Sequence, residues 1–284
     1  MNYFKYYKYI PYFGGKTYLL SSILMCINNL ARQNNAHTFI DLFGGSGKVA
    51  MNVFSSYPFK KIILNEFDES LVTLYRVMAD KVQTQSLVQQ LLALEYSKET
   101  LDRCKSDIEC DVYGRINRNM SDIEKAAAAF FTCAATFDSN RQQVSKAHMS
   151  RYKYRVENLL NAHYRLAGIT LQQGDAINLL KQYGRDPRVI KYLDPPYHPV
   201  TRAALGIYAC EMSRLEHIRL VEMLCCCRGW ILSGYDPAEY DDPFFPGKKC
   251  QDYVLLEEAG AKKVLIKSAQ NNQSRKNEWL WIMK

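Results

Sequence analysis

The apolar run Thr38–Phe43 breaks into Gly44-Gly45-Ser46-Gly47, and Lys48–Phe54 follows at once with a helix-compatible pattern. Strand, glycine turn and helix in that order leave few folds open. Lys61–Asn65 reads as a second short buried strand, with the helix Glu69–Ala79 behind it. A β-α-β-α order implies a parallel sheet, because each helix carries the chain back to the edge where the last strand began. The fold class expected is α/β.

The alternation then stops. From Val82 to Gly168 the patterns are helical: Ser86–Glu95, Lys98–Ile108, Asp122–Phe137 with its run of alanines, and Arg151–Leu166. After Gly168 the alternation resumes, with strands at Ile169–Gln172, Val189–Leu193 and Trp230–Ser233, and a helix at Leu215–Cys227 before the last. Lys263–Lys267 and Glu278–Met283 read as a closing antiparallel pair. Residues 1–81 and 169–284 then form one sheet domain, and 82–168 an inserted, mainly helical lobe. The sequence has neither internal repeats nor a low-complexity linker, so the lobe is inserted rather than tethered.

The net charge of +8 admits two readings, ordinary surface lysine or a polyanionic partner, and only clustering distinguishes them. Nine cysteines without any C-x-x-C pair argue against a zinc site, and free thiols in a reducing cytoplasm fit better. No metal is therefore expected. The tyrosine- and lysine-rich stretch Met1–Ile10 lacks a signal peptide's apolar region, and no run reaches the length of a membrane span. A cytoplasmic protein without a membrane partner follows.

Three elements carry chemistry. The turn Asp41-Leu42-Phe43-Gly44-Gly45-Ser46-Gly47 lets backbone approach a ligand at a helix N-terminus, and Glu66 ends the next strand. An acid about 20 positions after such a turn is placed to hold ribose hydroxyls, so the pair points to a nucleoside-containing cofactor. Pro11-Tyr12-Phe13-Gly14-Gly15-Lys16 opens the helix Tyr18–Leu30 and suits the carboxylate of an amino-acid-bearing ligand, or is a plain turn. Asp194-Pro195-Pro196-Tyr197 ends an apolar strand, where ligands bind in such sheets. Its prolines fix φ at about −65° and remove two donors, leaving carbonyls to accept from a ligand beside a carboxylate and an aromatic face. A flat heterocycle bearing an amine matches that set. Asp175, ending another strand, is either a second acid on this rim or the cap of a helix Ala176–Tyr183. His198, next to the motif, is a lid residue or a bystander.

In chain order, with Pro11–Lys16 first, then the glycine turn, Glu66, the inserted lobe and Asp194–Tyr197, the elements resemble the Dam-type (α-group) DNA adenine-N6 methyltransferases. The likeness extends to Leu232-Ser233-Gly234-Tyr235-Asp236, similar to the strand after the family's catalytic loop, and to Arg275-Lys276-Asn277-Glu278, similar to its closing segment. The resemblance implies a Rossmann-like S-adenosylmethionine-dependent methyltransferase sheet with an inserted target-recognition lobe. It implies that Tyr12, Gly15 and Lys16 line the cofactor pocket. Asp41, Phe43, Gly45 and Gly47 would shape the turn under the methionine part, and Glu66 would hold the ribose. Asp175 would lie near the cofactor's adenine, and Asp194 would border both ligands. Asp194, Pro195, Pro196 and Tyr197 would bind the target base, flipped out of double-stranded DNA, and activate its amine. A monomer without a metal suffices for this chemistry.

The chain departs from the family at Tyr12-Phe13-Gly14-Gly15-Lys16, where an alanine-flanked element is usual. It departs again at Thr132–Asn140, so the family's base contacts there do not transfer. From Arg141 to Arg165, Arg141, Lys146, Arg151, Lys153, Arg155 and Arg165 face a single acid, Glu157. They form either a DNA-binding patch, in which the first five are the expected contacts, or a solvated helix face. Competing readings are an amino-methyltransferase acting on RNA adenine or protein glutamine, and an inactive DNA-binding homologue. The leading aspartate and the long lobe favour DNA adenine. A restriction-modification, phage or regulatory context is not legible.

Overall fold

The computed structural model describes residues 7–11, 19–54, 56–116, 118–135, 144, 148–202, 210–266 and 277–284. Seven strands form one sheet: β1 (Thr38–Asp41), β2 (Lys61–Glu66), β3 (Ile169–Gln173), β4 (Val189–Leu193), β5 (Trp230–Gly234), β6 (Lys262–Ile266) and β7 (Glu278–Met283). Their spatial order is β3-β2-β1-β4-β5-β7-β6. The first five run parallel, and β7 lies antiparallel between β5 and β6. This is a Rossmann-like α/β sheet.

Side-chain alternation sends each strand's residues to two helical layers. Phe39, Ile62, Leu64, Ile190, Tyr192, Ile231 and Leu280 join one apolar cluster. Ile40, Ile63, Val189, Leu193, Trp230, Leu232 and Trp281 join the other. The first layer holds α1 (Leu20–Gln33), α2 (Lys48–Val53) and α3 (Glu69–Ala79). The second holds α9 (Ala176–Tyr183), α10 (Arg214–Cys225) and α11 (Val254–Glu258). Lys191, fully buried on β4, donates from Nζ to the carbonyls of Tyr183, Gly184 and Asp186 and so closes the end of α9. Burial pushes its ammonium pKa down to about 8.

Between β2 and β3 lie α3 and the helices α4 (Lys81–Ala93), α5 (Lys98–Asp107), α6 (Asp122–Ala134), α7 (Met149–Asn158) and α8 (His163–Leu166). Helix α4 starts earlier than its pattern suggests, because Asp80 both ends α3 in extended geometry and caps α4 through Gln83 N at 2.9 Å. The helix expected over Arg151–Leu166 is broken by a 3-10 turn at Leu159–Asn161. Val156, Leu159 and Ala162 are all fully buried at intervals of three, and a 3-10 turn brings that spacing to one face. The buried residues of α4–α8 belong to the same cluster as α1 and the sheet face, so the inserted helices share one core with the sheet. No helix among the described residues is long and apolar enough to cross a membrane.

Candidate active site

The strand order reverses between β1 and β4, which diverge to helices on opposite faces and open a crevice at their carboxyl ends. Asp41 ends β1 and pairs in register with Tyr192, two residues before Asp194. The Asp194 charge therefore acts on the Asp41 carboxyl across the reversal. Asp41 is buried at 2% exposure; Oδ2 accepts from Ala50 N at 3.3 Å, and Oδ1 has no partner among the described residues. Burial first, and the charge of Asp194 second, push the Asp41 carboxyl well above its ordinary value.

The glycine turn lies beneath this pair. Gly47, the N-cap of α2, has φ +65°, and a Cβ there would fall 2.8 Å from Met51 Cε. Gly45 N donates to Glu66 Oε2 at 2.7 Å, and Tyr75 donates its hydroxyl to the Gly45 carbonyl. Glu66 also accepts from the backbone N–H of Phe67 and Asp68, at 2.8 and 3.2 Å. Burial raises its pKa against the effect of these bonds. Asn65 ties three loops together, donating from Nδ2 to Leu42 O at 3.0 Å and Gly174 O at 2.9 Å, while Gly44 N donates to Asn65 O at 2.8 Å. Phe43 is half-buried at the same rim. Asp175 is exposed and caps α9 through Ile177 N at 2.8 Å, the second of its two expected roles. Tyr12, Gly15 and Lys16 lie outside the described residues. The backbone of Tyr7 exchanges hydrogen bonds with Asn52 of α2, so the segment leading to them starts beside the glycine turn.

Asp194-Pro195-Pro196-Tyr197 leaves β4 at this crevice and is anchored from behind. The Tyr197 ring stacks on Tyr235, with centroids 4.3 Å apart and planes at 25°. Its hydroxyl lies 3.4 Å from the carboxylate of Glu278, which also receives Ser233 Oγ at 3.4 Å. Arg202 donates to the Tyr197 carbonyl and pairs with Glu211. His198 is buried; its Nδ1 accepts from Val200 N, and its Nε2 lies 2.9 Å from Asp252 Oδ2. Arg214 donates to both oxygens of Asp252 (2.6 and 2.7 Å) and of Asp242 (2.9 and 2.6 Å).

His217, fully buried, bonds through Nδ1 to Tyr253 Oη at 2.8 Å and lies beside the Pro196 backbone. Burial chiefly, with the nearby His198 and Arg202, pulls its pKa down to about 3. The unfolded chain takes that proton at about pH 6.5, whereas the folded chain resists it until about pH 3. Stability should therefore fall as pH drops across this window. Urea titrations at stepped pH should show a flatter acid limb for His217→Gln than for the parent; superimposable limbs would count against the buried neutral imidazole.

Of the residues expected to meet a polyanion, Arg151 and Lys153 are exposed on α7. Arg155 is half-buried and donates to the Ala134 carbonyl at the end of α6, at 2.9 Å. Arg165 lies over the Tyr7 ring at 3.6 Å. Arg141 and Lys146 lie outside the described residues, as do the stretch 136–140, Arg275 and Lys276. The residues that sequence reasoning missed are Arg202, Arg214, His217 and Asp252, none of which lies in a motif; Tyr235 lies in the Leu232–Asp236 motif, but its stacking on Tyr197 was not foreseen.

Residues 12–228 match the family described as D12 class N6 adenine-specific DNA methyltransferase. One relative, the type II methyltransferase M.MjaIII of Methanocaldococcus jannaschii, is 27% identical over 208 residues, 69% of this chain and 71% of its own length. Among solved structures, a putative methylase from Haemophilus influenzae is 12% identical with TM-score 0.34, covering 93% of this chain and 86% of that one. A putative methyltransferase from Escherichia coli is 12% identical with TM-score 0.35, covering 97% and 90%. At such TM-scores the fold rests on the strand order given above rather than on these likenesses.

Proposed function

We propose that this chain, which belongs to the D12 class N6 adenine-specific DNA methyltransferase family, is a Dam-type enzyme that methylates an adenine flipped out of double-stranded DNA. The methyl donor would be S-adenosylmethionine. The observation that carries this reading is the action of the Asp194 charge on Asp41 across the strand reversal, over the glycine turn.

The residues present fit that cofactor. Asp41 Oδ1 is a buried acceptor without a partner among the described residues, beside a second carboxylate. An α-ammonium supplies the cation and the N–H donors that such a pair favours. Glu66 takes three backbone N–H groups, and a carboxylate offers about four lone-pair sites, so a ribose hydroxyl can still bind. Phe43, Gly45 and Gly47 would border the methionine part, Asp175 the adenine, and Tyr12, Gly15 and Lys16 would complete the pocket. When bound, S-adenosylmethionine supplies a methyl group on a sulfonium that carries its own leaving group.

The chain's own residues supply position and charge. The target amine is a poor nucleophile because its lone pair is delocalised into the ring. The Asp194 carboxylate and a carbonyl of the Pro195-Pro196 pair would accept its two N–H bonds, favouring a pyramidal nitrogen with a localised lone pair. Pro196 lies beside His217, so the Pro195 carbonyl is the better placed of the two. Tyr197, held by its stack on Tyr235, would present its ring to the base. Extruding a base costs a few kcal/mol, which phosphate contacts would offset. Exposed Arg151 and Lys153 suit that role, whereas Arg155 serves the packing of α6.

Incubating the purified chain with S-adenosylmethionine and plasmid DNA, then digesting to nucleosides, should yield N6-methyladenine; methylation confined to RNA or protein would reject the reading. In the same preparations, Arg151→Gln with Lys153→Gln should reduce the slope of log K against log salt by about 2. An unchanged slope would remove those residues from the interface.

A further inference from the structure

The nine cysteines show no metal-binding spacing in sequence, yet the fold brings two of them to one acid. Asp68, at the N-cap of α3, is 2% exposed. Its Oδ1 accepts from Ser70 N at 2.8 Å and from the Cys110 thiol at 3.5 Å, while its Oδ2 is buried without a partner among the described residues. Cys210 closes the group: a carboxylate oxygen of Asp68 and the Sγ atoms of Cys110 and Cys210 all lie within 4.8 Å of one another.

Backbone contacts fix two of these positions. Cys110 pairs with Ile116 across a small hairpin. At its tip Gly114 has φ +73°, and a Cβ there would stand 2.2 Å from Phe67 O. The Gly114 carbonyl accepts from Glu69 N at 2.8 Å. The hairpin thus rests directly on the Glu66–Asp68 turn, and Asp68 and Cys110 are held together whether or not anything binds them.

We propose that Asp68, Cys110 and Cys210 form a zinc-class metal site. Thiolates with a carboxylate select zinc over magnesium or calcium, and a tetrahedral zinc holds its thiolate sulfurs about 3.8 Å apart. Small side-chain rotations reach that from the observed cluster. The contrast with the molecule's other donor cluster, His198, Cys250 and Asp252, is instructive. There the Arg214 guanidinium already lies on Asp252 and would repel an added cation. A metal at Asp68 would staple the sheet rim to the inserted helices and to the segment after the catalytic loop, leaving a fourth position for water.

Purified under reducing conditions without chelator, the chain should carry about one zinc. Cobalt titrated into metal-stripped protein should give thiolate-to-cobalt charge-transfer absorption. That absorption should be lost in Cys110→Ser and in Cys210→Ser, with circular dichroism confirming that each variant folds. Asp68→Asn keeps the helix cap and should shift the visible cobalt bands while weakening binding tenfold or more, about the change expected on removing a ligand's charge. A parent without the absorption, or serine variants that retain it, would overturn the site. So would zinc-free protein with a Cys110–Cys210 disulfide after isolation without reductant.

Discussion

Asp194→Ala should lower the turnover of methyl transfer at least about a thousandfold, while the Kd for S-adenosylmethionine changes less than about tenfold. The asymmetry follows from where the carboxylate sits. In the proposed site Asp194 would border the cofactor, but the glycine turn and Glu66 form their hydrogen bonds without it. Its larger task in the proposed mechanism falls on the amine, where a preorganised acceptor acts as charge develops in the transition state. The substitution also removes the charge that raises the Asp41 pKa, so the protein should fold normally. Asp194→Asn, which keeps an acceptor oxygen without the charge, should retain more activity than the alanine variant. Single-turnover kinetics with cofactor binding measured separately makes the check. Equal losses in turnover and affinity would instead make Asp194 a cofactor residue alone.

Local chemistry was legible in the sequence because it is contiguous. The strand Val189–Leu193 with Asp194–Tyr197 behind it, the glycine turn before α2, and the helix Glu69–Ala79 each announce themselves within a few residues. Of the two roles that the sequence left open for Asp175, the cap of α9 is made, with Ile177 N donating to the carboxylate. What holds the Asp194–Tyr197 loop was not legible. Tyr235 meets Tyr197 only because β5 lies beside β4, and Asp252 reaches His198 across 54 positions of chain. Cys110 and Cys210 are further apart still, and spacing rules that exclude metal sites within a segment say nothing of sites between segments. Basic residues are a different case. Arg155 and Arg165 read as part of one positive stretch, but one donates to a helix end and the other lies on a tyrosine ring. Counting charges does not reveal which of them the core has already engaged.

Arg214→Ala should lower Tm by on the order of 10 °C, because it leaves two carboxylates in poorly solvated positions without their cation. Arg214 forks to Asp242 and Asp252, whose side chains are 4% and 8% exposed. Its hydrogen bonds hold the Asp242 carboxyl below its ordinary pKa. Burial pushes Asp252 up, and the bonds and charge of Arg214 with His198 more than reverse that. Carboxyls with lowered folded pKa stabilise above their unfolded values and lose that contribution as pH falls through the folded ones. The gap between parent and variant should therefore be full at pH 7 and narrow below about pH 4. Arg214→Lys keeps the charge but not the planar fork, and should fall between the two. The effect should extend to function, since Asp252 orients the His198 ring that follows Tyr197 directly. Turnover should drop in Arg214→Ala at temperatures well below its Tm, with cofactor affinity held. A Tm within about 2 °C of the parent would show instead that water solvates both carboxylates, and that the contacts of Arg202, Tyr235 and Glu278 hold the loop without Arg214.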